Sequence, residues 1–166
     1  MSAAVPPAVP PGALEAFAAG LDAALARAER TGAAWLLVGS AASWLQGVNL
    51  LPGDVDFLAR SPDDLDALAA GFADLLVDGR VLGANEYPED AWRSTRGQPV
   101  LHYPGATASS AFFRVTLPGP WGGLKVEGAF LFDENNAGKL MEAQGEAVWA
   151  AARRVSWRGH PVPVAP

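Results

Sequence analysis

Two apolar strand segments, each carrying a chemical feature at a set place, constrain this chain more than anything else in it. The first, Trp35-Leu36-Leu37-Val38, runs into Gly39-Ser40; thirteen residues later comes the second, Asp54-Val55-Asp56-Phe57-Leu58. Side chains alternate between the two faces of a strand, so Asp54 and Asp56 share one face. Two carboxylates side by side on a rigid strand repel each other unless a cation sits between them, which points to a Mg²⁺ site. Gly39 and Ser40 offer backbone N–H groups and a hydroxyl where a helix is predicted to start, a geometry that binds anions. Each half has an ordinary counterpart, two solvated acids on a surface strand and a serine that merely caps a helix. Against the first, Val55, Phe57 and Leu58 make the strand too apolar for an exposed edge.

A chain of 166 residues buries one substantial core, and one domain is expected over residues 13–166. Residues 1–12, rich in Pro and Ala, are expected to form a flexible tail. No apolar run reaches the ~18 residues of a membrane span, and the first residues lack the basic flank of a secretion signal. The absence of cysteine excludes disulfides and thiolate metal sites, so a cytoplasmic location is the expectation. The net charge of −6, with basic residues scattered except for Arg153-Arg154, disfavours a nucleic-acid partner, whose affinity comes from counterion release on a basic face. A small molecule or a protein fits the charge better.

Periodicity supplies the framework. Leu14, Phe17, Leu21 and Leu25 recur at helical spacing, predicting a helix over 13–31 that ends at Gly32. Strands are predicted over 33–38 and 55–59, with a short helix over 41–46 between them. Ser61-Pro62-Asp63-Asp64 is a helix start, with Ser at the cap, Pro next and acids against the dipole; that helix is expected to run to 76. Further strands are predicted over 99–103, 111–117 and 124–130, then a helix over 137–152 and a closing hairpin around Gly159. This order argues for an α/β (α+β) fold, a mixed β-sheet with helices packed on it.

The apolar strand, Gly-Ser, spacer and Asp-x-Asp of residues 35–58 resemble the nucleotidyltransferase superfamily typified by DNA polymerase beta, in particular its smaller bacterial members. These include antibiotic nucleotidyltransferases and the nucleotidyltransferase halves of toxin–antitoxin pairs. The resemblance covers roughly residues 33–130. It implies a nucleotidyltransferase-like fold, Mg²⁺ (or Mn²⁺) held by Asp54 and Asp56, and an NTP whose phosphates meet Gly39 and Ser40. It also implies a third carboxylate on a later strand. Glu127, flanked by Val126 and an apolar strand end, is the best candidate for that metal contact or for the general base, with Asp133 as runner-up. Transfer of a nucleoside monophosphate to a hydroxyl of a small molecule or protein follows as the expected activity.

Other residues are less tied to the motif. Arg114 and Lys125 lie on strands beside the site and would neutralise phosphate charge, although an exposed strand cation is the commoner explanation. His102 and His160 lack partners at ligand spacing, and Gln46 and Asn49 flank the site loop. Trp121 in its Gly/Pro turn would stack on a ring; for Trp92, Trp149 and Trp157 core packing or an interface is expected. The rival expectation is a catalytically reduced module of the same fold that binds nucleotide or a protein partner. A chain this short, without a further helical domain, would then borrow an acceptor site from a partner subunit or a second copy of itself.

Overall fold

The computed structural model describes residues 12–79, 93–120, 122–136 and 146–166. Its centre is one seven-stranded sheet: β1 (Trp35–Val38), β2 (Asp54–Ala59), β3 (Leu101–Tyr103), β4 (Ala108–Leu117), β5 (Leu124–Asp133), β6 (Arg153–Trp157) and β7 (His160–Val164). The strand order is β3-β4-β5-β2-β1-β7-β6. β2 pairs antiparallel with β1 and parallel with β5, and β7 runs parallel to β1, so the sheet is mixed. The helices are α1 (Ala13–Arg30), α2 (Gly39–Leu45), α3 (Pro62–Ala70) and α4 (Glu146–Ala151). Among the described residues no helix is long and apolar enough to cross a membrane.

The alternation along the strands divides the molecule. Trp35, Leu37, Val55, Phe57, Phe113, Val115 and Val126 join Leu21, Leu25, Leu65, Leu68 and Phe72 in the main core, so α1 and α3 cover one face. Fully burying each large apolar side chain contributes about 1.5–3 kcal/mol, which makes this face the principal source of stability. On the other face Leu36, Val38 and Leu58 pack with Val148 and Ala165, with Trp149 alongside, so α4 covers only one end of it. The β6–β7 hairpin turns at Arg158-Gly159, both at positive φ, and is tied to α1: Trp157 Nε1 donates to Asp22 Oδ1 at 2.6 Å, and its ring meets Trp44 edge-on. Trp149 and Trp157 are thus packing residues, while Trp92 and Trp121 lie outside the described residues.

Several predicted boundaries shift. α3 has the expected Ser61 cap, whose Oγ accepts from Asp64 N at 3.1 Å, but it ends at Ala70 rather than 76. Gly71 packs so tightly on Thr31 that a Cβ there would stand 2.6 Å from the Thr31 methyl; the chain turns and resumes as a 3₁₀ turn, Ala73–Leu75. β4 and β5 are each longer than predicted, because ten cross-strand pairs, from Ala108↔Asp133 to Leu117↔Leu124, hold even their polar ends. Of the predicted helix over 137–152, Glu146–Ala151 is helical and 137–145 lie outside the described residues.

Candidate active site

The face left uncovered by α1 and α3 carries the candidate site residues, and strand register sets them out row by row. Asp54 lies opposite Lys125, which lies opposite Thr116; Asp56 lies opposite Glu127, which lies opposite Arg114; Leu58 lies opposite Ala129, which lies opposite Phe112. Side chains in one such row are direct cross-strand neighbours. The face therefore presents two charged rows and then an apolar one. A cavity of about 270 Å³ opens along it, lined by Val38, Gly39, Asp56, Leu58, Glu127 and Phe112 among others.

Gly39 stands at the junction of β1 and α2 with φ +65°, in the left-handed region, and a Cβ there would lie 2.6 Å from Asp56 Oδ2. Both the backbone angle and the close approach of the carboxylate exclude a side chain at this position. Ser40 does not cap the helix. The cap position is Val38, without a side-chain hydrogen bond, and the Ser40 hydroxyl instead points to Asp54 Oδ1 at 3.5 Å. The structure thus brings Gly39, Ser40, Asp54, Asp56 and Glu127 to one place. Asp133 lies six residues further along β5, roughly 20 Å away at strand rise, where it accepts from Asn135 N at 2.9 Å.

The two cations hold positions other than the exposed ones expected for them. Arg114 Nε lies 2.5 Å from Glu127 Oε1, with only 11% of the Arg114 side chain exposed. Lys125 Nζ lies 3.1 Å from Asp54 Oδ2 and 3.3 Å from Glu127 Oε1, bridging the outer two carboxylates. Its pKa is raised from the ordinary 10.5, chiefly by the hydrogen bond to Asp54, against the opposing effect of burial and with a further contribution from Glu127. Cross-sheet pairing of this kind is set by the register of β2, β4 and β5, which no local sequence pattern displays. The one available signal was the period of two, which places Lys125 and Glu127 on the same side of β5.

The donor set suits a hard divalent cation. All the candidate ligands are carboxylate oxygens, Asp54 and Asp56 share a face, and the Asp56 carboxylate comes close against the backbone of Gly39. Glu127 Oε1 is a buried atom without an aligned hydrogen-bond donor, lying within ion-pair distance of both cations. Among the described residues no group of three or more His, Cys, Asp or Glu side chains stands close enough together to hold a metal ion, so Asp54 and Asp56 are the pair that would carry one.

The remaining candidates fall elsewhere. Gln46 Nε2 donates to Ala165 O at 3.0 Å and so fastens the end of α2 to the chain beyond β7. His102 has a partner after all, Asp66 Oδ1 at 3.0 Å, on the other side of the sheet. Asn49 and His160 are exposed.

No protein-family model matches the sequence, and no curated protein does. Solved structures do. A "putative nucleotidyltransferase" from Thermotoga maritima superposes with TM-score 0.57 at 16% identity, covering 90% of this chain and 76% of that one. A "putative nucleotidyltransferase" from H. pylori and the protein JHP933 from Helicobacter pylori both give TM-score 0.39 at 12% identity. These two matches cover 93% and 94% of this chain but 55% and 53% of theirs, so the chain spans about half their length. The Thermotoga maritima match shows that the chain has a nucleotidyltransferase-like fold.

Proposed function

From that fold, we propose that the chain is a metal-dependent nucleotidyltransferase moving a nucleoside monophosphate from an NTP to a hydroxyl of a small-molecule or protein acceptor. The observation that carries the proposal is the placement of Asp54, Asp56 and Glu127 on one face of the sheet, with Asp56 close against Gly39. Asp54 and Asp56 would hold Mg²⁺ or Mn²⁺, and Glu127 would make the third contact or take the acceptor proton. Such an ion neutralises phosphate charge and polarises the reacting phosphoryl group. Gly39 lets the backbone approach the phosphates, and the Ser40 hydroxyl, already turned to Asp54, fixes that carboxylate. Arg114 holds Glu127 in place. Catalysis by such a site is positioning and charge neutralisation.

The decisive measurement is calorimetric binding of ATP, GTP, CTP and UTP with Mg²⁺ and with EDTA, coupled to an assay of pyrophosphate release. Asp54→Asn and Asp56→Asn are each expected to lower turnover by about 10²–10³-fold, as loss of a charge-stabilising group does, while the fold survives. Wild-type turnover in either variant would end the proposal. A second reading is favoured by the two cations already seated among the carboxylates: a module of this fold that binds nucleotide and acts through a partner subunit or a second copy. Metal-dependent NTP binding without any pyrophosphate release would select it.

A further inference from the structure

The two cations of the site face are of different kinds, in a chain where that choice is uneven. Arginine fills ten of the twelve basic positions, and the only lysines are Lys125 and Lys139. An arginine fork is planar and pre-organised for one carboxylate, whereas a lysine ammonium is a compact charge on a flexible stem that exchanges partners readily. Arg114 fits the first description: it is nearly enclosed, and its Nε lies 2.5 Å from Glu127 Oε1. Lys125 fits the second. Its side chain is 38% exposed, and its single ammonium is shared between Asp54 and Glu127. Without it, two carboxylates on neighbouring strands would face each other across a gap that no other ion pair bridges among the described residues. The lysine thus stands on Asp54, one of the two oxygen donors that a divalent ion would need.

Resting on the reading of Asp54 and Asp56 as ion ligands, we infer that Lys125 is a displaceable counter-ion. It holds Asp54 and Glu127 together before an ion arrives, and the ion must compete with it for Asp54. Lys125 is therefore a positioning residue: it sets how tightly the site takes its cation. The competition is electrostatic and needs no change in the strands, because the lysine stem carries the whole displacement.

The test is Mn²⁺ binding, read from the electron paramagnetic resonance of the free ion, for wild type, Lys125→Met and Lys125→Arg. Removing a competing unit charge about 3 Å from a ligand in a partly screened site is expected to tighten Mn²⁺ binding about tenfold in Lys125→Met. Lys125→Arg, which keeps the charge, is expected to stay near wild type. Mn²⁺ binding to wild type with Lys125→Met equal or weaker would overturn the inference alone. Absence of Mn²⁺ binding from every form, with or without NTP, would overturn the reading of the site as well. A second measurement needs no substitution at 125. Reductive ¹³C-methylation labels just two lysine side chains, told apart with Lys139→Arg, and the Lys125 methyl resonance should move as Mg²⁺ is added. A Lys125 signal unmoved by Mg²⁺, in protein shown to bind the ion, would overturn the inference.

Discussion

The two faces of the central sheet are built by alternate residues of the same strands, yet they do opposite work. On β5, Val126 and Gly128 face the helices while Lys125 and Glu127 face away; on β4, Phe113 and Val115 alternate with Arg114 and Thr116. The helix-covered face is apolar and closed, with Phe57, Phe72 and Phe113 tilted against one another at centroid distances of 6.4 and 5.8 Å. The other face holds three carboxylates and two cations in adjoining rows. A charged site of this kind costs stability through desolvation and like-charge repulsion, and only a rigid support keeps it assembled. One set of positions thus packs the core, and the set interleaved with it carries the charged groups.

The largest effect is expected at Phe113. Its ring lies over Gly128, where a Cβ would stand 2.1 Å from Phe113 Cε1, so this glycine exists to admit the ring. Phe113→Ala should cost about 3–5 kcal/mol in urea unfolding, the range for emptying a well-packed aromatic site. The neighbouring site-face change Asp54→Asn should cost under about 1 kcal/mol in the same experiment, because it relieves repulsion as well as losing a pair. Comparable losses at the two positions would break the division of labour between the faces.

Gly39 is the point where the two sets meet, and its replacement sharpens the comparison. Gly39→Ala forces a left-handed backbone on a residue with a Cβ, which costs about 1–2 kcal/mol, and presses that Cβ onto the Asp56 carboxylate. A melt should show the modest loss of stability. Calorimetry should show weakened Mg²⁺–NTP binding out of proportion to it. If binding is retained at wild-type strength, the closeness of Gly39 to Asp56 is a packing detail and not part of the site.

How much of this was legible beforehand follows from the range of each interaction. The period of two was enough to pair Asp54 with Asp56, and helical spacing enough to place the buried face of α1. Ser61-Pro62 marked the start of α3, but its end at Gly71 depends on contact with Thr31, forty residues earlier. The same limit hid the site's internal neutralisation. Arg114, Glu127, Lys125 and Asp54 become neighbours only through the register of three strands, one of them joined to its neighbour by a long crossover. Ser40 shows the converse error of over-reading a local signal. A serine after a strand and before a helix suggests a cap, yet its hydroxyl is turned sideways to Asp54.

The smallest expected effect concerns an ion pair on the closed side, set against Lys125–Asp54 on the other. Arg27 of α1 donates to both carboxylate oxygens of Asp74, at 2.6 and 2.9 Å, and to Gly71 O at 3.1 Å, fastening α1 to the turn after α3. The hydrogen bond from Arg27 holds the Asp74 carboxyl below its ordinary 3.8, and the Arg27 pKa is raised in turn by the same bond. A carboxyl whose folded-state pKa is depressed stabilises the fold above its unfolded value and loses that contribution as pH falls through the folded value. Because Asp74 is largely exposed, solvent screening limits the effect to about 0.2–1 kcal/mol. Asp74→Asn should therefore be slightly less stable than wild type at pH 7, and the gap should close in acid below the ordinary carboxylate range. Added Mg²⁺ should leave that gap unchanged, whereas the Lys125–Asp54 pair should respond to it. A Mg²⁺-sensitive Asp74→Asn difference would mean that the two ion pairs communicate through the sheet, and that its faces are less independent than their packing suggests.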